Sequence, residues 1–269
     1  MEIGITITDL DGTIIYTNPV EATTHGWNVE ELIGKKSRIF APPDIWKPMT
    51  PEEISCIRFF TRESVNIKKD GTVFPVRLTS DVVLNDKNEP VFVVNACVDL
   101  SSRKRIEEVL FKLSITDSLT GLFNRRYFIK KIAEEASRAR RVGYKLSLIM
   151  LDLDDFKAYN DAHGHLAGDD VLVEVAGIIA NCVRKDTDTA YRYGGDEFIV
   201  ILPNSDREKA RCVAGRISQR VAERFSEIGI SAGIAELNGG ASTEDLIRGA
   251  DAAMYADKAQ KKRASIRGG

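Results

Sequence analysis

Two acidic segments carry the chemistry open to this chain. Asp152-Leu153-Asp154-Asp155 closes an apolar run from Leu146 to Leu151, and Gly194-Gly195-Asp196-Glu197 opens another that runs from Phe198 to Leu202 and stops at Pro203. Continuous apolar runs of this kind predict buried strands, and two glycines ahead of two acids predict a tight hairpin with carboxylates at its tip. If the two strands are neighbours in one sheet, Asp152 meets the Asp196-Glu197 pair across it. Carboxylates gathered in this way offer the hard oxygen ligands that Mg2+ prefers, leaving water and nucleotide phosphates to complete the shell. Taken alone, Gly-Gly-Asp-Glu is an ordinary solvated turn. Asp152 is what makes it a candidate site, while Asp154 and Asp155 are expected only to keep the strand end solvated.

The elements that would hold these acids follow from periodicity. Asn124 is placed to cap a helix whose apolar face carries Phe128, Ile132, Ala133 and Ala136. Val171, Leu172, Val175, Ile178 and Ile179 mark a second helix, Val213, Ile217 and Val221 a third, and Leu246, Ile247, Ala250 and Met254 a fourth. Strands at 145–153, about 189–193, 197–202 and 228–236 alternate with them, which predicts a ferredoxin-like βαββαβ core with extra helices.

Asp117-Ser118-Leu119-Thr120-Gly121-Leu122-Phe123-Asn124-Arg125-Arg126, then Asp152 to Asp161 with Phe156-Lys157 and Asn160-Asp161, then Gly164-His165 and Gly168-Asp169, then Arg192 to Phe198, resemble the GGDEF diguanylate cyclases in order and spacing. The resemblance implies the same nucleotide-cyclase architecture and the condensation of two GTP into cyclic di-GMP with release of two pyrophosphates. It implies Mg2+ or Mn2+ held by Asp152, the Leu153 carbonyl and Asp196, with Glu197 either joining them or helping to deprotonate the attacking 3′-hydroxyl. Lys157 is expected beside these acids in catalysis, its ammonium on the phosphates. Phe156, Asn160, Asp169, Arg192, Lys258 and Lys262 are expected to contact substrate. Guanine presents N1-H and N2-H2 donors that a carboxylate accepts and adenine cannot supply, so Asp169 should penalise ATP. His163 and His165, on either side of a glycine, are read as helix-start or loop-packing residues.

Two positions depart from the family pattern. Lys262 stands where an arginine is usual, a point charge in place of a fork, with Lys261 and Arg263 on either side. An inhibitory Arg-x-x-Asp product site reads Lys185-Asp186-Thr187-Asp188, so Lys185 and Asp188 form a degenerate version and weak product inhibition is expected, with Arg184 as the nearby substitute. One GTP site per domain implies that two protomers face each other, so a homodimer is expected. Two other readings stay open: a catalytically weak GTP or cyclic di-GMP receptor, and a promiscuous cyclase making mixed GMP-AMP dinucleotides.

The front of the chain reads differently. Ile3 to Thr8, Ile14 to Tyr16, Thr72 to Thr79 and Pro90 to Val98 are strand candidates separated by Asp11-Gly12, Asp70-Gly71 and Asn85-Asp86 turns, around a short helical interior. Asp9-Leu10-Asp11-Gly12 lacks the later ligand positions of a calcium loop and is read as a hairpin turn. The run Asp9 to Pro19, with Gly26-Trp27, Glu31-Leu32-Ile33-Gly34, Lys69-Asp70-Gly71 and a closing Val98-Asp99-Leu100-Ser101, resembles a PAS sensory domain. That resemblance leaves its ligand or partner unknown. His25 is not where haem-binding relatives carry their ligand and is read as a surface or packing residue, and Cys56 lacks the context of a flavin adduct. From Arg103 to Leu113, Ile106, Val109 or Leu110, and Leu113 form one helical stripe, open to packing on its own domain or to dimerisation. The fold class expected is therefore α+β: a PAS antiparallel-sheet domain over 1–100, a linker helix over 101–116 and a GGDEF domain over 117–269.

Composition bounds the rest. A chain of 269 residues has room for two domains, and a formal net charge of −2 gives no electrostatic footprint for nucleic acid or an anionic membrane. No apolar stretch approaches the ~20 residues that span a bilayer, so no membrane is expected in this chain. Cys56, Cys97, Cys182 and Cys212 are scattered and are read as small core residues of a cytoplasmic protein. A strand pattern directly after Met1 is what a piece of a longer parent would show, with a lost membrane segment left open.

Overall fold

The structure is a computed structural model that describes residues 2–44 and 59–268, with side chains through Arg263. The chain divides into two compact units, residues 1–110 and 111–269.

In the first unit, β1 (Gly4–Thr8) and β2 (Ile14–Thr17) form a hairpin. Its turn is closed by Asp9 Oδ1, which accepts from the Thr13 amide at 2.7 Å, and by Gly12 at a φ of +76°. The Asp9 segment is thus a turn, as expected. Pro19 opens α1 (Pro19–Thr24) behind an Asn18 cap, and α2 (Val29–Leu32) follows. Strands β3 (Phe60–Ile67), β4 (Val73–Leu84) and β5 (Pro90–Asp99) complete a five-stranded sheet in the order β2-β1-β5-β4-β3, every adjacent pair antiparallel. The sequence reading did not anticipate β3, an edge strand whose first half, Phe60 to Glu63, is exposed. Ile14, Ala22, Leu32 and Phe40 form one buried cluster, and Phe74, Val76 and Cys97 another. His25 is fully buried, its ring 4.3 Å from that of Phe40.

The next helix, α3 (Ser101–Ile115), carries the expected stripe, and none of its residues is buried. Ile106, Val109, Leu110 and Leu113 are all more than half exposed.

In the second unit, α4 (Arg125–Val142), β7 (Leu146–Asp154), α5 (Phe156–His163), α6 (His165–Cys182), β8 (Thr189–Gly194), β9 (Glu197–Pro203), α7 (Arg207–Arg224), β10 (Gly229–Glu236) and α8 (Thr243–Gly268) follow in order, after a two-residue β6 (Phe123–Asn124). The sheet order is β10-β7-β9-β8-β6. Its first four strands pair antiparallel, which is the ferredoxin-like arrangement, and β6 adds a parallel edge that the sequence reading did not predict.

Side chains alternate across a strand. Ile149, Leu151 and Leu153 of β7 therefore join Val175 and Ile179 of α6 and Ile217 and Val221 of α7 on one face. Leu148 and Met150 join Phe128 and Ile132 of α4 and Ala250 and Met254 of α8 on the other. Helices on both faces explain why these strands read as unbroken apolar runs. Ala133 is exposed rather than buried, because it lies about 100° round the helix from Ile132; Glu135 takes the inner position, its carboxylate accepting the Tyr144 hydroxyl at 2.7 Å. Of the cysteines, Cys97 and Cys182 are buried, Cys212 is exposed on the outer side of α7, and Cys56 lies outside the described residues.

Candidate functional site

The sheet brings the two acidic segments together. β7 and β9 pair so that Asp152 lies directly opposite Glu197, and the Leu153 amide donates to the Asp196 carbonyl at 3.3 Å. Asp152 has the strand parity of Leu148 and Met150, so its carboxylate points to the α8 side, where Lys258 forms an ion pair with it. Burial raises the Asp152 carboxyl above its usual range, partly offset by Lys258, with Asp196 adding repulsion. Glu197 is raised by burial and then by Asp152, Asp196 and Asp251. Burial acts to lower the Lys258 ammonium, but Asp152 overrides it and holds it above its ordinary value.

Carboxylates crowded at one sheet end, all oxygen donors and each disfavouring the others' charge, suit a hard divalent cation. Asp152, the Leu153 carbonyl, Asp196 and Glu197 fit the metal role expected of them by chemistry, while the three carboxylates do not all have oxygens within 4.8 Å of one another. Asp154 does more than stay solvated. Its Oδ1 accepts the Ser231 hydroxyl of β10 at 2.6 Å, and Lys261 lies 3.8 Å from Oδ2. Asp155 takes a left-handed conformation, φ +56°, where β7 turns into α5.

The hairpin tip is held from outside. Arg192 donates through Nε and Nη2 to the Gly195 carbonyl at 3.0 and 2.8 Å, and through Nη1 to Asp117 at 3.1 Å. Asp117 also accepts the Thr120 amide and hydroxyl; burial works against ionising it, yet these bonds with Arg192 hold its carboxyl below the usual range. Arg192, expected on substrate, is here the tie between the turn and the Asp117-to-Thr120 segment. Sequence spacing of 75 residues hid that pair, and β6 pairing with Tyr191 and Arg192 of β8 makes it possible.

A second cluster stands on α5 and α6. Asn160 Oδ1 is buried with no hydrogen-bond partner, beside Gly168. A Cβ at residue 168 would lie 1.8 Å from that oxygen and 3.2 Å from the Phe156 ring. An unpartnered buried acceptor calls for a polar partner, which a docking ligand could supply. Gly168→Ala should displace the Asn160 side chain and press only on the edge of the Phe156 ring, raising KM for nucleotide about tenfold with a nearly unchanged melting midpoint. Unchanged KM in steady-state kinetics would refute this.

Asp169 and Lys157 are exposed, and no ion pair of either occurs among the described residues. His163 stacks on Tyr159 at 4.3 Å, a packing role as expected. Near the chain end, Lys262 is exposed, whereas Lys261 donates to the Ile230 carbonyl at 2.6 Å and pairs with Asp257 at 2.9 Å. Lys261, one step round the helix, is the basic group turned toward the sheet.

The Lys185 region also differs from expectation. Arg184 is not a free substitute: its guanidinium and backbone amide clasp the Asp188 carboxylate, and Nη2 also reaches the Pro203 carbonyl at 2.7 Å and the Ser205 hydroxyl at 3.0 Å. The Asp188 side chain is 1% exposed, while Lys185 points outward.

Among the described residues no helix is long and apolar enough to cross a membrane. Residues 114–264 match the diguanylate cyclase GGDEF domain model, and residues 2–102 match a PAS domain model. A diguanylate cyclase of Vibrio cholerae is 32% identical over 260 residues, covering 92% of this chain and 80% of the relative. Diguanylate cyclase A of Treponema denticola is 39% identical over 160 residues, and the match spans 55% of this chain but only 43% of that protein. The coiled coil and GGDEF domain of DgcB from Caulobacter crescentus, solved in complex with c-di-GMP, is 33% identical with a TM-score of 0.55, covering 59% of this chain and 87% of that one. The registered acids, the glycine-supported Asn160 and these matches together make the chain a member of the GGDEF diguanylate cyclase family, with a PAS domain ahead of the cyclase domain.

Proposed function

We propose that the protein condenses two GTP into cyclic di-GMP under the control of its PAS domain, as a homodimer working in the cytoplasm. The division we assign is 1–100 for the sensor, 101–116 for the linker helix and 117–269 for the cyclase. The observation that carries the reading is Asp152 opposite Glu197 in strand register, with Asp196 at the turn beside them. Each 3′-hydroxyl attacks the α-phosphate of the other nucleotide, forming a P–O bond as the bond to pyrophosphate breaks.

Mg2+, bound by Asp152, the Leu153 carbonyl and Asp196, would supply charge neutralisation and an acidified hydroxyl. Glu197, its carboxyl already raised by burial, is suited to take the hydroxyl proton. Lys258 is the group we expect to exchange Asp152 for phosphate when nucleotide arrives, with Lys157 and the amides of the β7–α5 turn as further phosphate donors. Lys261 is placed to assist from the same helix, in preference to Lys262. Asn160 and Asp169 would read the guanine edge, with Phe156 packing beside them. Arg192 acts by holding the hairpin tip.

Two protomers are required because each domain has one such site, and the unburied apolar stripe of α3 is the surface on which we expect them to pair. Incubating the purified protein with GTP, ATP and Mg2+ and identifying products by mass tests the assignment. Cyclic di-GMP alone is expected; mixed GMP-AMP dinucleotides, or binding without turnover, would overturn it.

Product inhibition should be weak in this chain, because Lys185 offers a single point charge and Arg184 is committed to Asp188. Lys185→Arg should tighten inhibition by cyclic di-GMP about tenfold, the worth of one added charge-assisted bond. Tight inhibition of the native chain in initial-rate titrations would refute this.

A further inference from the structure

We propose that the PAS unit binds a divalent cation of the zinc class inside its core, through Glu21, His25 and Cys97. Among the described residues these are the one group of three His, Cys, Asp or Glu side chains whose candidate ligand atoms all lie within 4.8 Å of one another. All three are buried. Glu21 lies on α1 and His25 caps it, while Cys97 comes from β5. A tetrahedral shell built on ordinary zinc distances sets ligand atoms roughly 3.3–3.8 Å apart, so side-chain shifts of about 1 Å close the site.

Hydrogen bonds fix the imidazole and its tautomer. Nδ1 lies 3.0 Å from the Glu21 carbonyl, and Nε2 lies 2.9 Å from the Asn66 amide nitrogen. That nitrogen can only donate, so Nε2 accepts and Nδ1 carries the hydrogen that the Glu21 carbonyl receives. A metal-bound histidine is commonly fixed by such a bond to a carbonyl from its other nitrogen. The same Asn66 nitrogen is 3.9 Å from Cys97 Sγ, so thiol and imidazole lone pair both face the Asn66 amide, which must turn aside for an ion to sit between them.

The carboxylate shows a further deficit. Glu21 Oε2 is buried with no well-aligned hydrogen bond, the Cys97 thiol and Thr6 hydroxyl being the carboxylate's polar neighbours, and residue 4 is a glycine whose Cβ would come within 1.9 Å of it. A divalent ion would give that buried carboxylate oxygen a partner. Sulfur, imidazole nitrogen and one carboxylate oxygen form a donor set that favours zinc-like ions over Mg2+ or Ca2+. On binding, the S–H bond breaks, its proton leaves to solvent, and sulfur donates its pair to the metal. The ion would cross-link α1 to β5, the strand that leads through Asp99 into α3.

Titrating the full chain with Co2+ under reducing, oxygen-free conditions tests this independently of catalysis. One equivalent should bind with intense near-ultraviolet sulfur-to-cobalt absorption, and Zn2+ should displace it. Cys97→Ser should abolish that absorption, and His25→Gln and Glu21→Gln should each weaken binding about tenfold or more. Cys212→Ser should retain it, and so should Asp196→Asn, since the cyclase acids contain no sulfur. X-ray absorption of the zinc-loaded unmodified chain reads sulfur coordination even if a variant fails to fold. No sulfur in the shell, no stoichiometric uptake, or absorption that survives Cys97→Ser would overturn the proposal.

Discussion

Asp196→Asn and Glu197→Gln should each abolish measurable cyclic di-GMP synthesis, a fall on the order of 10³-fold or more, while leaving the fold intact. The amides keep the volume of the acids and remove one charge each from a cluster in which Asp152 and Glu197 face one another. Glu197 is held above its usual range by burial and then by its acidic neighbours. A carboxyl whose folded value is raised binds its proton more tightly in the native state, so its contribution to stability declines as pH rises from its unfolded value through its folded one. At neutral pH the charge is therefore a cost to the fold, and Glu197→Gln should leave the melting midpoint unchanged or slightly higher. Full activity in the double variant would refute the assignment, and so would a loss of activity that merely tracks unfolding in circular dichroism.

Gly233→Ala is the largest stability effect we expect. Residue 233 lies on β10 where α8 packs so closely that an added Cβ would sit 2.0 Å from the Ala250 carbonyl and 2.2 Å from the Met254 amide. Both are backbone atoms of a helix and cannot turn aside, so the helix must lift off the strand. The cost should be about 3–5 kcal/mol. For a unit of this size that lowers the melting midpoint by about 10 °C. Activity should fall as well, because α8 carries Lys258 to Asp152. An unchanged thermal midpoint would show that strand and helix are packed less tightly than described.

Much of the second unit was legible because its signals are local. The apolar runs ending at Asp152 and beginning at Phe198 could be nothing but buried strands once helices lay on both faces, and the helix stripes followed a single period. The Asp117-Arg192 tie, the Asp154-Ser231 bond and the short strand β6 left no periodic mark, since each joins short segments far apart in the chain. Arg184 and Lys185 show the same limit at the scale of one residue. Spacing alone left Arg184 open as a substitute, whereas the fold commits it to a buried Asp188.

The first unit divides similarly. Its turns and most of its strands were written in glycine and asparagine positions, whose backbone preferences act over two or three residues. Nothing local links Glu21, His25, Asn66 and Cys97, and the cysteine read simply as a small core residue. Sequence by itself determined most of the elements and the family they belong to, because periodicity, turn chemistry and motif order are short-range properties of the chain. Only the tertiary structure decided which charges meet, which acceptors are buried unpaired and which arginines are already committed, because those depend on strand register and burial that distant residues set together.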